Sequence, residues 1–221
     1  MKLRILILED NFFIVISVLK KFNKQLLYIK NMSIKDISKK DTPKIKIILI
    51  HGNNTMRWSY KWMPWVKKEL EKLGLEVIGE TFPDSIIARE KYWIPFLKNI
   101  LKADKNTILI GHSSGADASM RFAENNKLLG AILVSPSYTD LGLKIEKQSG
   151  YFNRSWQWDK IKENQKWIVQ FGSKDDPYIS LKEFRHIHKM LSTEYYEFEN
   201  RGHFLQETFP EIVKVIKEKI K

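Results

Sequence analysis

Thr107-Ile-Leu-Ile-Gly-His-Ser-Ser-Gly-Ala116 places four residues suited to a buried strand directly before a Gly-x-Ser-x-Gly motif. A helix-favouring run over residues 116–124 follows it, and this order of strand, sharp turn and helix is the context of a nucleophile elbow. Gly111 and Gly115 leave room at the flanks of the turn. The helix start aims N–H groups and a positive dipole end at a developing oxyanion. The motif therefore predicts that Ser113 is a nucleophile.

A general base is expected further along the chain, where only three histidines follow Ser113. His186 and His188 lie in a segment with helical periodicity and are predicted to be surface residues, since no third metal ligand accompanies them. Its apolar face is formed by Leu181, Phe184, Ile187 and Leu191. His203 instead follows the strand-like residues 194–198 on a loop, where a general base of this fold class belongs. It is the predicted base.

An orienting carboxylate is predicted in Trp167-Ile-Val-Gln-Phe-Gly-Ser-Lys-Asp-Asp-Pro177, where a buried strand ends and two aspartates precede a proline. One of them would accept the imidazole N–H and stabilise the imidazolium. Spacing alone does not choose between Asp175 and Asp176. The alternative is an Asp-Pro turn with Asx-type hydrogen bonds, and each aspartate could serve one of the two roles.

The chain resembles the retinoblastoma-binding protein 9 type of small serine hydrolase, a branch of the α/β-hydrolase superfamily, from about Lys46 to the C-terminus. That resemblance implies Ser113 as nucleophile, Asp176 as acid and His203 as base, with esterase or peptidase-like activity on small substrates, including ones with aromatic side chains. The matching segments are Trp65-Val-Lys-Lys-Glu-Leu-Glu71, Ile110-Gly-His-Ser-Ser-Gly-Ala116, Ser149-Gly-Tyr-Phe152, Trp156-Gln-Trp158, Ile168-Val-Gln-Phe-Gly-Ser173, Asp175-Asp-Pro177 and Gly202-His-Phe204.

Two features depart from that family. The retinoblastoma-binding members are associated with a Leu-x-Cys-x-Glu type of segment, and this chain has no cysteine, so retinoblastoma protein binding is not supported. The family's early loop is glycine-rich, whereas here His51-Gly-Asn-Asn-Thr55 follows the first strand. The backbone N–H groups of Asn53 and Ser114 are the predicted oxyanion donors, and Asn54 in place of glycine leaves the loop's shape open.

Strands and helices alternate from Lys44 onward, which predicts an α/β-hydrolase-like fold with a mostly parallel sheet of about six strands and helices on both faces. The residues of interest all follow strands, at the edge where open α/β sheets bind ligands. The predicted strands are 46–50, 75–80, 107–111, 130–135, 166–171 and 194–198. The predicted helices are 58–73, 89–101, 114–126, 155–163, 180–191 and 208–220.

Aromatic residues after strand ends are the candidates for a substrate pocket: Trp58, Tyr151, Phe152 and Trp156. Little chain remains between the strands for a large lid, so the predicted substrate is a small molecule or a short peptide.

Composition limits the other function classes. Without cysteine there is no disulfide, thiolate metal site or cysteine nucleophile, and we predict no metal, no cofactor and a cytoplasmic enzyme. The net charge of +12 is concentrated at the start, since residues 1–46 carry 11 Lys/Arg and 4 Asp/Glu and the rest carries only +5. The remaining charges form mixed-sign helix surfaces, so nucleic-acid binding is not expected.

Residues 1–44 are interpreted as an N-terminal extension and linker preceding a hydrolase domain at 45–221. Phe12-Phe-Ile-Val-Ile-Ser-Val-Leu19 is too short to cross a bilayer, which needs about 20 residues. Membrane-surface contact through residues 1–30 is the less favoured interpretation of this segment. Another is an upstream extension that is not used in the cell, with Met32 as the start.

The sequence therefore predicts a serine hydrolase of small esters or amides, with peptides and aminoacyl compounds included. The alternative is a weakly active or inactive protein that keeps the hydrolase fold as an interaction module.

Overall fold

A six-stranded, entirely parallel sheet forms the centre of the protein in its computed structural model, which describes residues 44–54 and 57–221. The strands are β1 (Lys46–Ile50), β2 (Glu76–Gly79), β3 (Thr107–His112), β4 (Gly130–Val134), β5 (Ile168–Ser173) and β6 (Glu194–Phe198). Their order across the sheet is β2-β1-β3-β4-β5-β6. The predicted fold class is confirmed.

Helices connect the strands, as parallel pairing requires. They are α1 (Trp62–Glu71), α2 (Glu90–Pro95), α3 (Ser114–Ala123), α4 (Lys144–Ser149), α5 (Trp158–Glu163), α6 (Leu181–Leu191) and α7 (Pro210–Lys219). Helices α1 and α7 cover one face of the sheet. The opposite face is covered by α2, α3, α5 and α6, whose buried apolar residues belong to a second core cluster.

Strand β1 shows how the sequence builds two cores. Its residues alternate between faces, because successive side chains of a strand point to opposite sides. Ile47 and Leu49 pack with α1 and α7, whereas Ile48 and Ile50 pack with α2 and α3, and all four are fully buried. Burial on both faces explains the unbroken apolar run of the strand.

The strand order indicates where in the sheet the candidate site lies. From β1 the chain turns to β2 on one side, and it then returns to β3 on the other side of β1. The carboxyl ends of β1 and β3 therefore flank the point where the strand order reverses, which is where open α/β sheets bind ligands. The loop beginning at His51 and the turn at Ser113 both lie there.

Two helical segments differ from the sequence-based prediction. The predicted helix 89–101 is α-helical only to Pro95 and continues as a π-helical turn over Phe96–Ile100. Proline has no N–H to donate, which interrupts the α-helical hydrogen-bond ladder. Helix α4 was not predicted, because six residues are too few to show a helical period.

The interpretations of the N-terminal segment, 1–44, lie outside the described residues, except for Lys44. Among the helices of the described ranges, none is long and apolar enough to cross a membrane.

Candidate active site

Ser113 occupies the sharp turn between β3 and α3. Its backbone has φ 55° and ψ −125°, a conformation that side-chain-bearing residues rarely adopt and that is costly unless the surroundings enforce it. A Cβ on Gly111 would lie 2.2 Å from the carbonyl oxygen of Gly115, and one on Gly115 would lie 2.3 Å from that of Ile50. The two glycines are thus required by close backbone packing, and the segment has the geometry of a nucleophile elbow.

Asp176 and His203 form a hydrogen-bonded pair. His203 Nδ1 lies 2.8 Å from Asp176 Oδ2, and the Asp176 side chain is fully buried. Its Oδ2 also accepts from the Ser135 hydroxyl at 2.9 Å, and Oδ1 accepts from the N–H groups of Tyr178 and Ile179 at 2.9 and 3.1 Å. Burial raises the pKa of Asp176, but the hydrogen bond and charge of His203 and the two N–H donors outweigh it, so the pKa is lowered.

Asp175 has a different role from its neighbour. Its Oδ1 accepts from the Ser173 hydroxyl at 2.6 Å and from the Gly202 N–H at 2.8 Å, directly before His203. The Ser173 hydrogen bond, followed by that of Gly202, lowers the pKa of this carboxyl. Asp175 therefore fastens the loop that carries His203, while Asp176 contacts the imidazole.

The His203 loop is held from the elbow side as well. His112 Nε2 lies 2.8 Å from the carbonyl oxygen of His203, and Trp62 Nε1 donates to that of Phe204 at 3.0 Å. A carbonyl only accepts, so His112 carries its proton on Nε2. Burial, assisted by repulsion from His203, lowers the pKa of His112 to about 3, and the ring is neutral in the folded protein at physiological pH.

His51 orients the peptide that joins Gly52 and Asn53. Its Nε2 accepts from the Phe82 N–H at 2.9 Å, so the proton is on Nδ1, which donates to the Gly52 carbonyl oxygen at 2.6 Å. Burial lowers the pKa of this histidine, more than the Gly52 carbonyl raises it. In a trans peptide the C=O and N–H point in opposite directions. Holding the Gly52 carbonyl therefore also fixes the direction of the Asn53 N–H.

The predicted oxyanion donors remain available. Neither the Asn53 N–H nor the Ser114 N–H donates to another residue within the described ranges, whereas the Asn54 N–H donates to the Ile86 carbonyl at 3.0 Å. Asn54 adopts φ 59°, a positive value that asparagine tolerates better than most residues. Asn54 thus adopts a backbone conformation that usually favours glycine, the residue expected at this position from the family's glycine-rich loop.

A cavity of about 240 Å³ opens between these elements. Both Ser113 and His203 line it, together with Asn53, although no hydrogen bond joins the Ser113 hydroxyl to His203. Such contacts often tighten only when substrate is bound. The apolar part of the wall comes from Leu141, Leu143, Ile145, Ile179 and Leu205.

Two carboxyl groups also line the cavity. Asp117 is 2% exposed and accepts from the N–H and hydroxyl of Ser137, at 2.9 and 3.2 Å. Glu146 is 8% exposed and accepts from Asn53 Nδ2 at 2.6 Å through one oxygen. Burial raises the pKa of both, well above the ordinary value in Asp117, while hydrogen bonds from Ser137 and Asn53 act in the opposite direction.

The four aromatic residues predicted for the pocket lie elsewhere, since the cavity lining includes none of them. Trp58 packs over Gly79, and Tyr151 is fully buried. Phe152 and Trp156 pack against each other in the core cluster beside α3, with the Arg121 guanidinium 3.6 Å from the Trp156 ring centre. The Phe152 and Trp156 rings thus pack in the loop before α5, and the structure places all four rings outside the cavity lining, unlike the prediction.

Sequence reasoning missed His51, Ser135 and Glu146 as site residues. The position of His51 next to the expected oxyanion loop was a usable signal, but no motif pointed to Glu146 on the short α4. The surface assignment of His186 and His188 also needs correction in part. His188 is exposed, but His186 is half-buried, with its ring stacked on Tyr138 at 3.9 Å.

Comparison with known proteins identifies related sequences and related folds. A family model described as serine hydrolase matches residues 47–217. The chain is 44% identical to serine hydrolase RBBP9 of Rattus norvegicus over 174 residues, 78% of this chain and 94% of the relative. The crystal structure of the ydeN gene product from Bacillus subtilis, 26% identical, superposes with a TM-score of 0.74 over 80% of this chain and 99% of that one. The esterase Pf2001 of Pyrococcus furiosus shares the fold at 20% identity, with a TM-score of 0.57 over 80% and 81% of the two chains.

Proposed function

The chain belongs to the serine hydrolase family, and from this premise we propose that it cleaves small esters or amides through Ser113, Asp176 and His203. The observation that carries the proposal is the Asp176–His203 hydrogen bond beside a cavity that His203 shares with the elbow serine. Peptides and aminoacyl compounds are included among the proposed substrates. The small volume of the cavity favours a compact acyl group.

In the proposed reaction His203 acts as general base. Its Nδ1–H donates to Asp176, which leaves Nε2 to take the proton of the Ser113 hydroxyl. The alkoxide oxygen attacks the substrate carbonyl carbon, and the resulting imidazolium is stabilised by the buried Asp176 carboxylate. His203 then protonates the leaving alcohol or amine, and the acyl group remains on Ser113.

The second half of the reaction uses the same groups. A water molecule gives its proton to His203 and attacks the acyl-enzyme carbonyl, and the Ser113 oxygen leaves with a proton returned by His203. In both halves the negative oxygen is proposed to accept from the N–H groups of Asn53 and Ser114. Donors held in place before the reaction stabilise that charge without reorganisation, and loss of one such donor typically costs about 10²–10³ in kcat.

Labelling with a fluorophosphonate probe tests this proposal directly. The probe requires an activated serine and an oxyanion site but no knowledge of the substrate. We expect one label per chain in the wild type and none in Ser113→Ala or His203→Ala. An unlabelled wild type would contradict the proposal and favour the alternative of an interaction module with the hydrolase fold.

A further inference from the structure

Ser135 lies directly after strand β4 in a backbone conformation that serine rarely adopts. Its φ is 47°, and Pro136 follows it, although the residue before a proline is normally extended. Glycine would take this positive φ without the steric cost that a Cβ brings. Because Ser135 is also fully buried, its side chain is expected to contribute something that glycine cannot.

The Ser135 hydroxyl contacts the carboxylate that orients the proposed base. It donates to Asp176 Oδ2 at 2.9 Å, and His203 Nδ1 lies 2.8 Å from the same oxygen. The other oxygen, Oδ1, accepts from the N–H groups of Tyr178 and Ile179. A carboxylate has about four acceptor positions, and these four donors fill them. The carboxylate is therefore held against rotation, with one position of Oδ2 directed at the imidazole.

The sheet fixes Ser135 in its place. Its N–H donates to the Phe171 carbonyl oxygen at 3.0 Å, which continues the hydrogen bonding between β4 and β5. Of the donors to Asp176, two are backbone N–H groups that side-chain substitution leaves in place, and one is the base itself. Among the described residues, the Ser135 hydroxyl is thus the remaining side chain through which this carboxylate is adjusted.

The hydroxyl also limits how strongly Asp176 holds the imidazolium that forms during the reaction. The positive end of the hydroxyl dipole lies against Oδ2 and offsets part of the negative charge that attracts the imidazolium. Without the hydroxyl, more of that charge acts on His203, so the protonated base is stabilised relative to the neutral one. The carboxylate also becomes freer to rotate, which makes proton transfer from Ser113 less efficient.

Other titratable groups near His203 belong to several elements. They are His112 on β3, Asp117 on α3, Glu146 on α4, and Asp175 and Tyr178 after β5. Within the described ranges, none of them is hydrogen-bonded to Ser135, whose hydroxyl donates to Asp176. Ser135 is also not among the described residues that line the cavity. A change at Ser135 therefore reaches His203 through Asp176 and does not remove a contact with substrate.

We propose that Ser135 is a positioning residue: its hydroxyl aligns the Asp176 carboxylate with His203 and weakens the hold of that carboxylate on the imidazolium. The inference rests on the proposed hydrolase function. It deepens that function, since it concerns how the base of the same site is oriented and how readily it takes up a proton.

The test measures kcat/KM for 4-nitrophenyl acetate between about pH 5 and pH 9 in the wild type, Ser135→Ala and Ser135→Gly. This ester does not ionise in the range, so the acid limb of the profile reports protonation of the enzyme. A hydrogen bond to a charged group is worth about one to two pH units at that group, and part of it reaches the base. We expect the midpoint of the acid limb to rise by about 0.5–1 pH unit in both variants, and kcat on the plateau to fall by about 3- to 10-fold.

The two variants separate the hydroxyl from the backbone. Alanine keeps the cost of the positive φ and glycine relieves it, but both lack the hydroxyl. Ser192 is the matched control, because it also has a positive φ, 52°, where α6 ends, and is exposed. Ser192→Ala and Ser192→Gly should leave the midpoint of the acid limb and kcat unchanged.

Two results would overturn the inference alone, in a wild type that fluorophosphonate labels. One is an acid limb that stays at the wild-type midpoint in Ser135→Gly, whatever happens to kcat, which would leave Ser135 with a structural role only. The other is a shift in Ser135→Ala that Ser135→Gly does not share, which would assign the effect to the backbone. A wild type without label would instead remove the proposed function, and this inference with it.

Discussion

The backbone N–H of Phe82 donates a hydrogen bond to Nε2 of His51 at 2.9 Å, across two loops that meet behind the candidate oxyanion site. This bond decides the tautomer, since it requires the proton to be on Nδ1. The Nδ1–H then holds the Gly52 carbonyl at 2.6 Å, and with it the Gly52–Asn53 peptide. The position of one proposed oxyanion donor thus depends on a histidine that need not touch the substrate.

We therefore expect His51→Ala to lower kcat for 4-nitrophenyl acetate by about 10- to 100-fold, less than the full loss of an oxyanion donor. KM should change little, because the donor acts mainly on the transition state. His188→Ala, at an exposed position on α6, is the control and should match the wild type. A variant with raised KM and unchanged kcat would place His51 in substrate binding instead.

Ser113 and Ser114 offer a matched pair of substitutions. Ser113→Ala should lower kcat on the same ester by about 10⁶-fold, as in other serine hydrolases that lose the nucleophile. Ser114→Ala should keep most of the activity, because only its backbone N–H is proposed to act and its hydroxyl is buried with no partner among the described residues. Comparable losses in the two variants would argue against Ser113 as the nucleophile.

The two aspartates are separable in the same way. Asp176→Asn should lower kcat by about 10⁴-fold, since an amide cannot stabilise the imidazolium and favours the wrong tautomer. Asp175→Asn keeps an oxygen that can accept from Gly202, so we expect less than a 10-fold loss. Steady-state measurement of kcat for both variants tests which aspartate orients His203. A larger loss of kcat in Asp175→Asn than in Asp176→Asn would assign that role to Asp175.

The fold and the positions of Ser113, Asp176 and His203 could be predicted, because each depends on a pattern of neighbouring residues in the sequence. Gly111 and Gly115 mark the elbow, and strand-like runs end just before the other two residues. The choice of Asp176 over Asp175 came from resemblance to a family, as no spacing rule distinguishes adjacent carboxylates.

The walls of the cavity could not be anticipated, because they depend on tertiary packing. Glu146 comes to the site through a short helix without a readable period, and it meets Asn53 across 93 residues of sequence. The prediction that aromatic residues line the cavity failed for a related reason. Strand ends are rich in rings, but Trp156 packs on Arg121, and only the folded structure shows which rings face a cavity.

Arg121 is expected to dominate the stability of the segment before α5. Its guanidinium is fully buried, pairs with Glu124 at 2.5 Å and donates to the carbonyl oxygens of Tyr151, Arg154 and Ser155. Arg121→Met should lower the free energy of unfolding by about 3–5 kcal/mol, because the buried Glu124 carboxylate loses its buried cationic partner and keeps only the partly exposed Arg154, at 3.3 Å. Urea denaturation monitored by tryptophan fluorescence measures the loss.

Arg185→Met is the control for Arg121. Arg185 pairs with Glu197 at 2.9 Å on the surface, with 60% of its side chain exposed, and such pairs contribute at most about 1 kcal/mol. If the two variants were equally stable, the Arg121 cluster would not be an anchor of this segment.

His112 is expected to make the protein less stable in mild acid. Its pKa is about 3 in the folded state and about 6.5 when unfolded, so the unfolded chain binds the extra proton between these values. Stability from this residue is therefore complete above pH 6.5 and declines as the pH falls toward 3. Between pH 7.5 and 5.0 the linkage relation gives a loss of about 2 kcal/mol from this group alone.

His112→Gln isolates that contribution, because its amide can still donate to the carbonyl oxygen of His203 without titrating. We expect the free energy of unfolding in urea to fall between pH 7.5 and 5.0 by about 2 kcal/mol less in this variant than in the wild type. The comparison is between two pH values within each protein, so any constant effect of the substitution on stability cancels. Equal declines in the two proteins would mean that His112 takes up its proton without unfolding.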